Sequence, residues 1–329
     1  FYMSLRNLPG TYVIEYPYEM VATLGKKKFN DDLLRLVRRE KPDLFFAFMF
    51  TDELDCETLN EIKKLTTSVA WFADDHWRLW NYSRHYAKCF SWIVTTWSEA
   101  PKIYWRFGVK NVIRSQWACN IHSWQLAAAA AAAAADKDIN VSFIGQHNPS
   151  RAKIISKLRS AGISVWVRGF GWPDGRLEHK EVIKSFSRSR INLNFNTPPP
   201  RLSLKMVGRL FVKRSADRII LDLWNIKDNF ISLLNMKTPQ IKARPFEVLA
   251  CRAFLISAFA DDMDRYYEDK KEIVYYNGGL EDLVQKIKYY LEHADECEII
   301  AKNAYKRTIK EHTYERRLAD VFEKIGLKP

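Results

Sequence analysis

Short apolar runs alternate with amphipathic segments along most of the chain. In the first part, strand-like runs fall at residues 11–16, 43–50, 68–73, 91–96 and 111–115. Between the first two runs, Leu33, Leu34 and Val37 recur on one helical face, as expected for a helix packed on a sheet. Apolar strands that alternate with amphipathic helices predict a parallel sheet with helices on both faces, here over residues 1–125.

Nine consecutive alanines at residues 127–135 interrupt this alternation. Because alanine is the best helix former, the tract is either a helical linker or a run of side chains whose identity the sequence does not give. Either interpretation predicts a domain boundary over residues 126–139.

The alternation then restarts and predicts a second α/β domain over residues 140–310. Its strand-like runs fall at 140–145, 163–169, 191–195, 254–257 and 272–276. Its helix-like segments fall at about 149–161, 179–188, 245–252, 279–293 and 295–310. Two such units joined by a linker predict an α/β fold of two Rossmann-like domains that face a cleft.

Residues 198–236 do not fit this alternation, and we interpret them as a helical insertion in the second domain. Large apolar residues are interleaved there with six cations: Arg201, Lys205, Arg209, Lys213, Arg214 and Arg218. Two placements are open. The apolar face packs on its own domain, or the segment lies on an anionic membrane surface as a peripheral contact.

The formal charge of +13 narrows the class of partner. A basic surface attracts nucleic acid, anionic lipid or phosphorylated small molecules. The sequence has neither zinc-finger spacing nor a Lys/Arg-rich tract with interleaved glycines, so we expect no nucleic-acid partner.

Cysteine usage and hydropathy bear on the compartment. The five cysteines are scattered without CxxC pairs, which argues against a disulfide framework or structural zinc and fits a reducing cytosol. No apolar run approaches the roughly 18 residues of a spanning helix. We therefore expect a cytoplasmic protein that is at most peripheral at the inner face of the membrane.

Ligands of doubly wound sheets bind beyond the carboxyl ends of the strands, which selects four loops. The first contains Gly145, Gln146, His147 and Asn148 and lies between a predicted strand and a predicted helix. The free N–H groups of a helix start favour a phosphate, so these residues are candidates for donor binding. An ordinary strand-to-helix turn is the alternative.

The second loop covers residues 168–180 and is rich in glycine. Arg168 and His179 lie at its two ends and can contact a base or a phosphate. Its position favours a binding role, whereas the residue types alone do not.

The third loop leads into the helix predicted at 245–252. Lys242 and Arg244 precede that helix and Glu247 lies inside it. Two cations at a helix N-terminus suit a diphosphate, and a carboxylate can accept hydrogen bonds from ribose hydroxyls. The alternative is a solvated charge cluster.

The fourth loop carries Asp74, Asp75 and His76 directly after a strand of the first domain. An acid or a histidine that faces the cleft can act as general base toward a sugar hydroxyl, so all three are catalytic candidates. The alternative is that Asp74 or Asp75 caps the next helix.

From about residue 140 to the end, the chain resembles the CgeB-like, group 1 type glycosyltransferases. The resemblance rests on an ordered series: "VSFIGQHNPSRAKIISKL", "INLNF", "IKARPFEVLACRAFLIS", "KKEIVYYNGGLEDLVQKIKYYLEH" and "EHTYERRLADVF". The first half matches through "KPDLFFAF" and "AWFADDHWRLW". These glycosyltransferases have the two-domain GT-B architecture.

The resemblance implies transfer of a sugar from a nucleotide-sugar donor to a glycan, lipid-linked or protein acceptor, with no metal and no other cofactor. Glu247 matches the family's ribose-binding acid, Lys242 and Arg244 match basic positions near the diphosphate, and residues 145–148 match the loop beside the phosphates. Residues 311–329 would cross back to the first, acceptor-binding domain. A GT-B chain would also have a strand before Phe1.

Two departures from the family pattern favour an alternative, a non-catalytic nucleotide- or glycan-binding module. Arg252 stands where related chains have glycine, and Pro239 stands where many have a second glutamate.

Residues 262–264 resemble the Asp-x-Asp metal motif of another glycosyltransferase class but lie in a charged stretch typical of exposed helix and turn. The seven histidines show no metal-ligand spacing, so we expect no metal site.

Overall fold

The computed structural model of the protein describes residues 1–121, 137–196, 204–277 and 279–327. The alanine tract at 127–135 and Arg201 lie outside these ranges, so the predicted linker is not part of the description below.

The first sheet has four parallel strands in chain order, and its apolar side chains are buried under helices on both faces. Its strands are β1 Leu44–Ala47, β2 Thr67–Phe72, β3 Trp92–Thr95 and β4 Val112–Arg114. Its helices are α1 Tyr2–Arg6, α2 Val21–Leu24, α3 Lys26–Glu40, α4 Cys56–Leu65, α5 Asp75–Arg78, α6 Arg84–Ala87 and α7 Ala100–Arg106, with a π-helical turn at Leu79–Ser83.

The strand predicted at 11–16 is wrong, because that segment has no regular structure. The Thr11 hydroxyl donates to the carbonyls of Leu5 and Leu8, 2.6 and 2.7 Å away, which folds the chain back on α1. Tyr12 is left 90% exposed. A strand needs a neighbouring strand, and this turn keeps the segment away from the edge of the sheet.

The second sheet has five parallel strands in the order β11-β10-β7-β5-β6. Its strands are β5 Ile139–Ile144, β6 Trp166–Arg168, β7 Ser189–Asn194, β10 Leu255–Ala258 and β11 Val274–Tyr276. Its helices are α8 Pro149–Ser160, α9 His179–Arg188, α12 Ala243–Ala250, α13 Leu280–Glu292 and α14 Ala294–Glu311. The strand order reverses between β5 and β7, and ligands of such sheets bind at this switch point.

The insertion is not wholly helical, which corrects the prediction. It contains α10 Leu204–Gly208, a hairpin of β8 Val212–Arg214 and β9 Ile219–Leu221, and α11 Ile226–Asn235. A bond from the Ser215 N–H to the Arg218 carbonyl, 2.7 Å, closes the hairpin turn. Turn residues at 215–218, between runs that begin with Val212 and Ile219, favour a hairpin over a helix here.

The insertion contacts the first domain. The Thr51 hydroxyl donates to the Arg214 carbonyl at 3.0 Å, and Asn81 donates to Asn229 at 2.9 Å. An ion pair joins Arg84 to Asp228. The expectation that its apolar face packs on its own domain did not include these contacts.

Two chain segments connect the domains side by side. Cys119, after β4, forms a parallel bridge with Thr313, and its N–H donates to the His312 carbonyl at 3.0 Å. The last helix, α15 Tyr314–Lys324, then packs its Phe322 in the same apolar cluster as Trp71 of β2. These paired crossings link the two domains.

The expectation of unpaired cysteines is wrong for one pair, because Cys56 and Cys89 form a disulfide with Cα atoms 5.6 Å apart. Cys56 begins α4 and Cys89 follows α6, 33 positions later. Tertiary packing of these two helices creates the pair, so local spacing could not reveal it. Cys119, Cys251 and Cys297 are free and buried.

No helix in the described ranges is long and apolar enough to cross a lipid bilayer.

Arg252 occupies a backbone conformation that favours glycine. Its φ is +52°, directly after the end of α12, in the left-handed region where a side chain costs about 1–2 kcal/mol. We expect Arg252→Gly to be more stable than Arg252→Ala by about 1 kcal/mol, since both lose the exposed pair with Glu298 and only glycine relieves the strain. Urea unfolding of the two variants checks this, and equal midpoints would contradict it.

Candidate functional site

The carboxyl edges of the two sheets face each other across a cleft. Lys242, the N-cap residue of α12 in the second domain, places its Nζ 3.2 Å from Oδ1 of Asp74, which follows β2 of the first domain. Both side chains are partly exposed. This ion pair brings together two of the residues that the sequence had selected from different domains.

Asn148 caps α8 on the second-domain side of the cleft, accepting a bond from the Arg151 N–H at 2.9 Å. The Gly145 carbonyl accepts from Trp172 Nε1 at 2.9 Å, and the His147 N–H donates to the Phe170 carbonyl at 2.8 Å. The loop after β6 is therefore bonded to the loop after β5, and the His147 side chain and Gln146 remain exposed at the surface.

Gly169 allows these two loops to pack together. Its φ is +139°, and a Cβ there would lie 2.1 Å from the Gly145 carbonyl oxygen. That contact is with backbone, so no side-chain movement relieves it. Only glycine fits at this position.

Arg151 is a cation that the sequence analysis did not single out. Its Nη1 donates to the Gln146 carbonyl at 2.8 Å, and its Nε lies buried with no described partner. Burial, and then the charge of Arg244, lower the pKa of Arg151. Two guanidinium groups that lie close together, one of them with no described carboxylate partner, favour an anion between them.

Arg244 and Glu247 lie one turn apart on α12. An Arg244 Nη1–Glu247 Oε2 ion pair of 2.9 Å joins them, and the Glu247 side chain is 23% exposed. The Arg244 guanidinium lies over the ring of Phe186 on α9, 5.4 Å from its centroid. The structure thus brings Arg151, Arg244 and Glu247 together beside the switch point of the second sheet.

Arg168 and His179 are placed differently from the other donor-binding candidates. Arg168 pairs with Asp174 of its own loop at 2.7 Å and lies over the Trp166 ring. His179 is the exposed first residue of α9. Arg168 is thus held by Asp174, and its role in a phosphate site stays a prediction.

His76 is buried beside the cleft, and no described group bonds its Nδ1. Burial and the charge of Lys242 lower the pKa of His76 to about 3, against a smaller opposing effect of Asp74. Burial alone would raise the pKa of Asp74, but Lys242, His76 and Arg78 together outweigh it and hold that pKa below its ordinary value. At neutral pH the site therefore presents a carboxylate and a neutral imidazole.

Asp75 does not face the cleft, which corrects its selection as a catalytic candidate. It is fully buried and accepts a bond from the Tyr104 hydroxyl at 3.0 Å. Burial raises the pKa of Asp75 to about 6, although hydrogen bonds from Ser83, Thr95 and Tyr104 favour the ionised form. The side chains of adjacent residues in the first turn of a helix face different directions. That of Asp75 faces the core of the first domain.

Buried histidines make the stability pH-dependent. Burial and then Arg317 lower the pKa of His312 to about 4, whereas an unfolded histidine titrates near 6.5. Below pH 6.5 the unfolded chain binds a proton that folded His312 does not, so the free energy of unfolding falls with decreasing pH, by up to about 1.4 kcal/mol per pH unit for one such group. Titration of His76 also lowers the free energy of unfolding as the pH falls. Asp75, with its raised pKa, has the opposite effect.

We expect His312→Gln to show a shallower loss of stability than the wild type between pH 6.5 and 5. Glutamine can still donate to the Tyr266 carbonyl, which His312 Nε2 reaches at 2.9 Å, but it takes up no proton. Urea unfolding across this pH range measures the slope, and parallel curves for the two proteins would contradict the prediction.

The Asp-Met-Asp stretch joins the two domains. Asp262 pairs with Arg114 of β4 and with Arg265, and Asp261 accepts a bond from the Ser98 hydroxyl at 2.5 Å. Among the described residues, no group of three or more His, Cys, Asp and Glu side chains could hold a metal ion.

Residues 150–323, more than half of the chain, match the sequence profile of the glycosyl transferase-like family. The chain therefore belongs to the glycosyl transferase-like family. No curated protein matches it in sequence.

Solved structures show that the fold is GT-B. A sucrose-phosphate synthase from Thermosynechococcus elongatus superposes with a TM-score of 0.56 at 10% identity, over 98% of this chain and 82% of that one. Anabaena HepE in complex with UDP gives 0.55 at 10% identity, over 92% and 84%. An alpha-glucosyltransferase in complex with UDP and DNA gives 0.58 at 13% identity, over 90% and 83%.

Proposed function

We propose that this protein is a glycosyltransferase that binds a nucleotide-sugar donor at the cleft edge of the second sheet. The observation that carries the proposal is the grouping of Arg151, Arg244 and Glu247 at the switch point between β5 and β7. Two guanidinium groups suit a diphosphate, and the partly exposed acid beside them suits a ribose diol. Membership of the glycosyl transferase-like family supports this assignment.

Without donor, two of the site's cations are paired with carboxylates, Arg244 with Glu247 and Lys242 with Asp74. A diphosphate would compete for both cations, and the release of Glu247 would free its oxygens for the ribose hydroxyls. The cations would then stabilise the negative charge that develops on the leaving diphosphate, which is an effect of preorganised charge.

His76 is the group in the first domain best suited to act on a sugar. Its imidazole is neutral at physiological pH, and its buried Nδ1 lacks a described partner. It can therefore accept a hydrogen bond from a hydroxyl of the donor sugar or of the acceptor. Asp74 beside it is ionised and would stabilise positive charge on the ring.

We infer that the reaction needs no metal. The charge that faces the phosphate position comes from Lys242, Arg244 and Arg151, and such a set neutralises a diphosphate directly but repels a metal cation. Asp262, the first acid of the Asp-Met-Asp stretch, is already engaged, since it pairs with Arg114 and Arg265.

UDP-sugars are the first donors to test, because Anabaena HepE was solved with UDP-glucose and the alpha-glucosyltransferase with UDP. A glycan, glycolipid or protein is the acceptor class. The alternative of a non-catalytic module loses one of its two arguments, since Arg252 lies at the far end of α12 from Lys242.

Incubation with radiolabelled nucleotide sugars tests the proposal through release of free sugar or transfer to added glycans and lipids. We expect turnover of one donor class at the same rate with and without EDTA. Turnover that EDTA abolishes would contradict metal independence, and binding without any turnover would support the non-catalytic module.

A further inference from the structure

The hairpin in the insertion turns an apolar face to solvent. Val212 pairs with Leu221 and Arg214 with Ile219, so these four side chains share one face. Ile219 and Leu221 are each 74% exposed, and Val212 is exposed too. A hairpin that covers a core shows polar side chains to solvent, and here three of four outward positions are apolar.

The apolar surface continues into the turn after the hairpin. Trp224 is 99% exposed and Leu223 is 53% exposed. An almost fully exposed tryptophan is unusual in a globular protein, because its large ring gains much from burial. We call Val212, Ile219, Leu221, Leu223 and Trp224 the hairpin patch.

The charge around the hairpin patch is positive. Residues 206–237 contain six cations and three acids. Of the acids, Asp222 is buried against Asn225 and Asn229, and Asp228 pairs with Arg84. The third acid, Asp217, is exposed in the hairpin turn and lies 3.9 Å from Arg218. The cations include four exposed side chains that are close in sequence to the patch: Arg209, Arg214, Arg218 and Lys227.

The patch is held in place rather than left on a loose loop. The Ser215 hydroxyl donates to the Asp52 carboxylate, whose two oxygens lie 2.9 and 2.8 Å away, and the Ala216 N–H donates to it at 2.7 Å. Asp52 belongs to the loop after β1, at the same edge of the first sheet as Asp74 and His76. The anchor therefore ties the patch to the cleft side of the first domain.

We propose that the hairpin patch docks on an anionic lipid bilayer. Apolar side chains with a tryptophan enter the interfacial region of a bilayer, and flanking arginines and lysines bind the phosphates of anionic lipids. An apolar patch flanked by cations needs a partner with apolar and anionic groups in adjacent layers. A bilayer provides this arrangement better than a protein surface does. Docking in this way would hold the acceptor side of the cleft at the membrane surface.

The inference does not depend on the proposed transferase activity, since lipid binding is measured without any nucleotide sugar. Co-sedimentation of the full chain with phosphatidylcholine vesicles, with and without one-third phosphatidylglycerol, provides the test. The test variant is Ile219→Ser/Leu221→Ser/Trp224→Ser. The matched control is Trp105→Ser/Ile299→Ser, which removes apolar side chains that are 67% and 61% exposed elsewhere.

We expect the wild type and the control to bind the anionic vesicles and to bind neutral ones more weakly. The triple variant should show a partition coefficient at least about tenfold lower, with an unchanged melting temperature. Equal binding by the triple variant, or no binding by the wild type, would overturn the proposal. A dimer of the wild type that the triple variant dissociates, seen by gel filtration, would assign the patch to a second copy of the chain instead.

Discussion

Replacement of His76 by alanine is expected to lower kcat for sugar transfer by about 10–10²-fold, the effect of losing one buried hydrogen bond in the transition state. The imidazole is buried beside the cleft, its pKa is lowered to about 3, and its Nδ1 has no described partner. A buried polar atom without a partner costs free energy in the free protein, so a substrate hydroxyl that bonds it would recover that cost. The donor KM should change much less than kcat.

Three results separate a catalytic role for His76 from a structural one. His76→Asn places a polar atom near the position of Nδ1 and should recover part of the loss if the contact is a hydrogen bond. The melting temperature of each variant shows whether the fold is intact. The wild-type kcat/KM should stay level from pH 8 to about pH 5, since a group with a pKa of about 3 remains neutral there. A fall in the wild type centred near pH 6.5, or an unchanged kcat in His76→Ala, would refute the role.

Replacement of Arg244 by alanine is expected to lower kcat/KM for the donor by about 10²–10³-fold, the effect of losing a charged partner of a partly buried phosphate. Arg244 pairs with Glu247 and lies near Arg151, so its guanidinium stands between the residues proposed for the ribose and the phosphates. Arg244→Lys should restore only part of the loss, because an ammonium cannot bind two phosphate oxygens in a planar fork.

The matched control is Arg188→Ala. Arg188 also forms an ion pair, with Asp138, but it ends α9 at the opposite edge of the second sheet. The Arg188→Ala variant should keep its kcat/KM within about twofold of the wild type, since an exposed ion pair contributes little. Isothermal titration with the donor nucleotide measures the affinity directly. Equal losses in Arg244→Ala and Arg188→Ala would show a general effect of charge rather than a diphosphate site.

Much of the fold follows from the sequence, because apolar β-branched runs set both sheets. The runs at 68–73 and 191–195 became β2 and β7, and the helix expected at 179–188 is α9 with those bounds. The run at 11–16 failed because alternation does not show whether a strand has a neighbour. The hairpin at Val212–Leu221 was missed because its apolar positions face solvent, and a pattern cannot distinguish an exposed apolar face from a buried one.

The candidate site was less predictable, because side-chain direction decides it. Asp74 and Asp75 are adjacent, yet one pairs with Lys242 across the cleft and the other is buried against Tyr104. Arg151 did leave a signal. It follows a glycine-containing loop, and no acid lies three or four positions further along its helix, where Ile154 and Ile155 stand. A helical arginine without such a neighbour is free to bind an anion.

The most direct test of the donor site is a thermal-shift comparison of the wild type, Glu247→Ala and Glu298→Ala, with UDP, GDP, CDP and TDP and their common sugars. Glu298 is an exposed acid that pairs with Arg252, near the other end of α12 from Lys242. A ligand that binds only the folded protein raises its melting temperature. At a ligand concentration a hundredfold above Kd, the free energy of unfolding increases by about 2.7 kcal/mol. We predict a rise with nucleotides of one base that Glu298→Ala keeps and Glu247→Ala loses. An equal rise in Glu247→Ala, or no rise with any nucleotide, would contradict a nucleotide-sugar site at Glu247.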